Sequence, residues 1–305
     1  MAIEVNGEID EGARSGILIH LFICGFLGLS INTLILFILI QKLRRRNAHV
    51  DIKLCTFVAA TDIVVSFCLI FRSIFTKYPY NLIQYSQEWC KFDVLTGSQV
   101  LLFSGYTLGV MSVERFLLVC FNKQLPFVFW LVLILLTWIP QYIMASIGIA
   151  DNIQVLVKIK VYCTVPPKGA GYGVFLFATV MFITSFLSVL VSYFGIMIVK
   201  YKQCLNQLNL NVPKEQVYSE CKSTLTKSLL YISLFVLVFS GKIYSLGYEL
   251  ITGLKKTILM DLIATCLIAC SAFVNAVILL YMNQDVRKPF IEILVSIKKK
   301  VVNRE

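Results

Sequence analysis

The chain has 305 residues, of which 58% are hydrophobic and 15% are charged, and its mean hydropathy is +0.80. A soluble domain is about 45–50% apolar and about 25% charged, so an ordinary soluble domain is excluded, as is a disordered chain, which needs low hydrophobicity. The net charge of +11 comes from basic residues clustered between long apolar runs. The excess of basic residues beside membrane spans explains this charge, and no nucleic acid is expected as a partner.

Seven apolar segments follow one another along the chain. A membrane-spanning helix needs about 20 mostly apolar residues, because the hydrocarbon layer is about 30 Å thick and a helix rises about 1.5 Å per residue. The segments that meet this length are 15–41, 52–76, 94–119, 126–149, 172–199, 224–251 and 257–282. They are too long and continuous for barrel strands. The sequence therefore predicts an all-α membrane protein, a seven-transmembrane helix bundle forming one domain over 1–305.

The distribution of basic residues predicts the orientation of the bundle. Most of the 28 Lys and Arg residues fall in segments that are cytoplasmic if the N-terminus is outside, and the cluster Lys42–Arg46 is the sharpest of these signals. That cluster is also expected to contact anionic membrane lipids. We therefore predict a multi-pass protein of the plasma membrane, with residues 1–14 extracellular and residues 283–305 cytoplasmic.

The segment after the seventh span predicts a short amphipathic eighth helix. Apolar residues recur there at helical spacing, among basic neighbours; they are Phe290, Ile293, Leu294 and Ile297. A helix of this kind lies on a membrane surface, with its apolar face toward the acyl chains.

Polar and aromatic residues stand at characteristic depths on successive spans. They are Asn32, Asp62, Cys90, the triplet Glu114-Arg115-Phe116, Trp138, Tyr193 and Asn275. The 25 residues from Cys90 to Arg115 are enough to cross the membrane once. In this order, and over nearly the whole chain, these motifs resemble the rhodopsin-like family of G-protein-coupled receptors, of which the chain would be a divergent member.

Several positions depart from the family pattern. On the sixth span, Phe239 replaces the usual Trp and Gly241 replaces the usual Pro. On the seventh, Ala276 stands for Pro and Leu279 for Tyr. These differences concern activation rather than the fold.

The resemblance implies a site for coupling to a heterotrimeric G protein. Its residues would be Glu114, Arg115, Phe116, Tyr193, Phe235, Phe239 and Asn275. Within it, Glu114 is expected to hold Arg115 in the resting state, with Glu220 at the base of the sixth span as a second acidic partner. The resemblance also implies a disulfide between Cys90 and Cys163. The alternating run 154–160 before Cys163 predicts a β-hairpin over the pocket.

The resemblance further implies a sodium site around Asp62, a lone carboxylate in an apolar span. The oxygen ligands would come from Ser104, Ser271, Asn275 and Asn32. A water-filled polar network without a specific ion is the alternative. Sodium is the only cofactor expected.

A ligand pocket is expected near the outer ends of the spans, formed by Arg72, Gly97, Phe177, Lys242 and Asp261. Gly97 stands where amine receptors have an Asp, which disfavours an amine ligand. The two cations require anions within a membrane. These would be either the internal acids Asp93, Glu249 and Asp261, or an anionic group on an unknown extracellular ligand.

The sequence contains no catalytic motif, so no enzyme is expected. His20 and His49 are expected to lack metal-ligand neighbours, and the eight other cysteines to behave as small hydrophobes. Three alternatives to a signalling receptor are a retinal-type light sensor, a transporter, and a constitutively active or non-signalling scaffold. The first is disfavoured because 265–271 holds no Lys, and the second because neither inverted repeats nor broken helices are evident in the sequence.

Overall fold

A computed structural model describes residues 4–5, 8–44, 49–167, 169, 171–210 and 212–302. Parts of three predicted segments lie outside this range. They are residues 1–3 and 6–7 of the N-terminal segment 1–14, Arg45 and Arg46 of the basic cluster, and 303–305 of the segment 283–305.

Within the described residues, seven helices are long and apolar enough to cross a membrane, which confirms the predicted all-α seven-helix bundle. They are α1 (Glu11–Leu43), α2 (Val50–Phe75), α3 (Gln87–Phe121), α4 (Phe127–Ala150), α5 (Gly171–Asn209), α6 (Lys214–Thr252) and α7 (Ile258–Met282). Each contains most of a predicted span. Six of them extend beyond it at one or both ends, because polar terminal turns are also helical, whereas α7 lies within the predicted 257–282. The chain is thus a multi-pass membrane protein.

The helices pack in a ring with α3 at its centre. Along α3, 67% of the most apolar window is buried, against 17% along α4 at the periphery. Helix α1 packs on α2 and α7, and α3 contacts α2, α4 and α5. Further contacts join α4 to α5, α5 to α6, α6 to α7 and α2 to α7. Consequently, polar side chains on α3 can meet partners from several helices.

Two of the spanning helices are irregular. Helix α3 consists of Gln87–Asp93, one π-helical turn at Val94–Ser98, and Gln99–Phe121. Helix α7 is divided at Cys270 into Ile258–Ala269 and Ser271–Met282. Such local irregularities in a helix often mark functional sites, and both lie beside the clusters described below.

The predicted hairpin and disulfide are confirmed. Strands β3 (Val155–Leu156) and β4 (Cys163–Thr164) pair antiparallel, and Cys163 is bonded to Cys90 at the start of α3. At the N-terminus, β1 (Glu4–Val5) pairs with β2 (Glu8–Ile9). A short helix, Leu82–Tyr85, lies between α2 and α3. The end of the bundle that carries the Cys90–Cys163 bond is called the disulfide end below.

The predicted amphipathic helix is confirmed as α8 (Gln284–Val302). Phe290 and Ile293 pack against the main core, whereas Leu294 is exposed. The side chain of Ile297 lies outside the described set. The helix thus begins where α7 ends, at the end of the bundle opposite the disulfide.

Candidate functional site

Arg115 lies at the end of α3 opposite the disulfide, which we call the arginine end. Its guanidinium Nη2 is 3.2 Å from Asp51 Oδ1, on the first turn of α2, and its Nη1 donates to the Tyr193 hydroxyl of α5 at 3.0 Å. The Arg115 and Asp51 side chains are 14% and 22% exposed. One cation therefore ties α3 to both α2 and α5.

Among the described residues, Glu114 forms no ion pair or hydrogen bond with Arg115, the contact that the predicted lock requires. Consecutive residues of a helix point about 100° apart, so Glu114 turns away into the core, where its Oε2 has no hydrogen-bond partner among the described residues. Glu220 is exposed and accepts a hydrogen bond from Gln216 of its own helix. The acid that pairs with Arg115 is instead Asp51. Its place in the first turn of α2 was the signal available in the sequence.

A column of aromatic rings leads from Arg115 into the bundle. Tyr193 stacks on Tyr231 with ring centroids 4.0 Å apart, and the stack continues through Phe235 to Phe239, whose rings are 4.7 Å apart. Three of these four residues were predicted activation residues. Tyr231 was missed, although it is four and eight residues before Phe235 and Phe239 and so shares their helix face.

An open cavity of about 280 Å³ lies at the arginine end. Its lining includes Asp51, Arg115, Tyr193, Lys200 and Lys227. Phe116 does not line it; this ring is half-buried and packs edge-on against Phe121 at 5.6 Å. Basic side chains thus outnumber acidic ones in its lining.

Asp62 is fully buried midway along α2. Its Oδ1 accepts hydrogen bonds from Ser104 Oγ at 2.9 Å and from Asn275 Nδ2 at 3.2 Å, and Asn275 also donates to Ser104 at 3.0 Å. Three of the predicted sodium ligands are therefore in contact. An isolated buried carboxylate is costly, and the described residues place no cation within ion-pair distance of it.

Three of the predicted sodium ligands carry buried oxygens that could serve a hard cation. Asp62 Oδ2, Asn32 Oδ1 and Ser271 Oγ are buried oxygens without a hydrogen-bond partner among the described residues. Carboxylate, amide and hydroxyl oxygens are the donors that such ions prefer. Ser271 is buried one turn before Asn275 but forms no hydrogen bond with the other predicted ligands. These oxygens are of the chemical type that a sodium site at Asp62 would need.

At the disulfide end, Arg72 forms a buried ion pair with Asp93. Arg72 Nε is 2.6 Å from Asp93 Oδ1, and its Nη2 donates to Asp93 Oδ2 at 3.1 Å and to Ser98 Oγ at 2.8 Å. Asp93 Oδ2 also accepts from the Cys163 backbone N–H at 2.8 Å. This pair joins α2, α3 and the hairpin. It confirms the internal partner predicted for Arg72.

Gly97 leaves the space for this ion pair. A Cβ atom at this position would lie 2.8 Å from Arg72 Nη2 and 2.8 Å from Asp93 Oδ1. Gly97 was predicted to line the pocket. It lies instead against the Arg72–Asp93 pair, outside the cavity lining.

Tyr162 connects the hairpin to α7. Its hydroxyl donates to Asp261 Oδ1 at 2.6 Å and accepts from Lys256 Nζ at 3.0 Å, and Lys256 Nζ is 2.7 Å from Asp261. Burial raises the pKa of the Tyr162 phenol well above its usual value, so the phenol remains a donor. Burial opposes the charge on Lys256, but Tyr162 and Asp261 outweigh it and raise the pKa of this ammonium.

Lys242 of α6 lines a cavity of about 110 Å³ beneath the hairpin, together with Arg72, Tyr162 and Asp261. Among the described residues no carboxylate lies within ion-pair distance of Lys242, because Asp93 and Asp261 are paired with Arg72 and Lys256. Its predicted internal pairing is thus not found. Phe177 was predicted to line the cavity but does not. The α5 residues that line it are Val174, Phe175 and Ala178.

A comparison with models of known protein families and with curated protein sequences finds no match for this chain. Its function therefore has to be inferred from the fold and the side-chain geometry.

The position of Gly97 makes a testable prediction. Gly97→Ala should place a methyl group against the Arg72–Asp93 pair and destabilise the folded protein by about 1–3 kcal/mol, as overpacking does. The measurement is the thermal unfolding midpoint of the purified protein in detergent. Gly247→Ala, in the interior of α6 with nothing within 4 Å of the added methyl, is the control and should be neutral or slightly stabilising. Equal midpoints for Gly97→Ala and wild type would contradict the prediction.

Proposed function

We propose that this protein is a rhodopsin-like receptor of the plasma membrane that transmits an extracellular or intrinsic signal to a heterotrimeric G protein. The observation that carries this proposal is the position of Arg115. It lines a cavity at one end of the bundle, while a second cavity lies at the other end beneath a disulfide-bonded hairpin. The aromatic column begins beside Arg115 and runs into the core between these two ends.

The proposed orientation places the disulfide end outside the cell. Disulfide bonds persist in oxidising compartments such as the extracellular space. Lys42 and Arg44 at the end of α1, and the basic residues of α8, are at the arginine end, where the positive-inside tendency puts the cytoplasm. The arginine-end cavity then opens toward a G protein, and the cavity under the hairpin opens toward a ligand.

Signalling would be a population shift between two helix arrangements. In the described arrangement, Arg115 is held by Asp51 and Tyr193. A ligand that favours a second arrangement would release Arg115, so that its guanidinium could contact the G protein. A cation bound at Asp62 would favour the arrangement in which Asp62, Ser104 and Asn275 remain together.

The Arg115–Asp51 contact supplies the direct test of this proposal. A partly exposed ion pair contributes roughly 1 kcal/mol, which corresponds to about a fivefold change in an equilibrium. Asp51→Asn should therefore raise ligand-independent nucleotide exchange on a G protein about fivefold, whereas Arg115→Ala should abolish exchange at unchanged surface expression. The measurement is exchange across a panel of G proteins.

Asp285→Asn is the matched control, because Asp285 is an exposed acid in the first turn of α8 at the same end. It should leave basal exchange unchanged. Undiminished exchange in Arg115→Ala would show that the arginine-end cavity is not a G-protein site.

Sodium should stabilise the resting protein through Asp62. The wild type and the exposed control Asp151→Asn should melt at a higher temperature in sodium chloride than in the chloride of a bulky organic cation. Asp62→Asn should melt at the same temperature in both salts, because an amide carries no charge to offset that of the ion. If the wild type also melts equally in both salts, the network around Asp62 holds water and no specific cation.

Lys242 should act on an anionic ligand and not as an internal latch. Lys242→Ala should leave basal exchange within about twofold of wild type, because no internal ion pair is broken. It should also abolish the response to any carboxylate or phosphate agonist found in an activation screen. Lys255→Ala, an exposed lysine after α6, should preserve that response. A large change in basal exchange on Lys242→Ala alone would indicate a latch.

A further inference from the structure

A cluster of soft metal-ligand atoms lies between α1 and α7. His20 and Cys24 are one helical turn apart on α1, and Cys270 lies at the break in α7. His20 Nε2 is 3.4 Å from Cys24 Sγ and 3.8 Å from Cys270 Sγ, and the two sulfurs are 4.0 Å apart. The expectation that His20 has no metal-ligand neighbour is therefore wrong.

These distances suit a common bound ion. Zinc lies about 2.3 Å from a thiolate and about 2.0–2.1 Å from an imidazole nitrogen, so two ligand atoms of a tetrahedral site are roughly 3.5–3.8 Å apart. The three observed separations, from 3.4 to 4.0 Å, bracket that range. Only small side-chain adjustments are needed to place an ion between the three atoms.

The break in α7 brings a fourth donor to the cluster. The Cys270 N–H bonds to the Leu267 carbonyl instead of to that of Cys266, four residues earlier. The Cys266 carbonyl oxygen instead lies 2.9 Å from His20 Nε2 and 3.4 Å from Cys270 Sγ. It is available beside the three side chains as an oxygen ligand, or as an acceptor for a metal-bound water.

We propose that His20, Cys24 and Cys270 form a binding site for a zinc-type transition-metal ion. On binding, each thiol loses its proton to solvent and a sulfur–metal bond forms. The metal binds His20 Nε2, and the neutral imidazole then carries its single proton on Nδ1, whichever ring nitrogen carried it before. A divalent ion with two thiolates and one imidazole has no net charge, which lowers the cost of placing it within the apolar spans. Binding is accompanied by the release of two protons.

The site would join α1 to α7 at the point where α7 is broken. The cavity beneath the hairpin reaches Leu21 and Ala269, the chain neighbours of His20 and Cys270, so the ion would be bound at the depth of the cavity wall. Cys24 is buried, whereas His20 and Cys270 are half-buried. The ion would thus restrict movement of α1 relative to the outer half of α7.

The test uses the full-length protein, purified with its thiols reduced and then freed of reductant. Zinc binding is measured by elemental analysis after dialysis, and cobalt(II) provides a thiolate-to-metal absorption band as a second signal. We expect about one ion per chain and the cobalt band in the wild type. Cys24→Ala/Cys270→Ala and His20→Ala should each lower the affinity at least tenfold.

The matched control is Cys204→Ala/Cys221→Ala, which removes another neighbouring pair of thiols, at the arginine end, and should retain the site. Three outcomes would overturn the proposal: no cobalt band in the wild type, equal binding by Cys24→Ala/Cys270→Ala, or a Cys24–Cys270 disulfide in protein purified without reductant. None of these readouts requires a ligand or a G protein, so they are independent of the proposed receptor function.

Discussion

The buried ion pair between Arg72 and Asp93 organises the disulfide end of this protein. Both side chains are almost fully enclosed, at 4% and 1% exposure, and removing one partner of such a pair leaves an uncompensated buried charge, which costs about 3–5 kcal/mol. Asp93 Oδ2 also accepts a hydrogen bond from the Cys163 backbone N–H. Ser98 Oγ accepts from Arg72 and donates to the Cys163 carbonyl, so it bridges the two. The hairpin therefore has one defined position over the cavity, fixed by polar contacts in addition to the disulfide.

The same pairing leaves the cavity with an excess of positive charge. Arg72 and Lys256 are each matched by a carboxylate, Asp93 and Asp261, while Lys242 has no ion-pair partner among the described residues. A cation in a low-dielectric region attracts anions strongly, since little water screens it. The volume of about 110 Å³ is below the roughly 300–1,000 Å³ of drug-sized sites. Only a small anion, or the head group of a larger ligand, fits this arrangement without movement of the helices.

Hydropathy was sufficient to predict the helices, because a span is recognised by the length of its apolar run. The order of the motifs was sufficient to predict the disulfide and the contacts among Asp62, Ser104 and Asn275, because these residues lie at matching depths on the inner faces of their helices. The acid that pairs with Arg115 could not be predicted in this way. Adjacency in sequence suggested Glu114, but adjacent helical residues diverge, and Asp51 becomes a neighbour only when α2 packs on α3. The cluster of His20 with Cys270 joins residues 250 positions apart. It depends on the α1–α7 packing and on the local break in α7, neither of which has a periodic signal in the sequence.

The glycine at position 241 of α6 can be explained by the packing of α6 against α7. Gly241, where the resemblance would place a Pro, does not interrupt α6, which runs as one helix over Lys214–Thr252. A Cβ there would lie 3.0 Å from Ala264 Cα, so the glycine permits close approach to α7. The interruption occurs instead in α7, at Cys270. A helix with its backbone hydrogen bonds intact resists bending, whereas a broken one has already lost part of that resistance. Any change between helix arrangements in this protein should therefore bend α7 more readily than α6, with α6 moving as a rigid body along its small-residue contact.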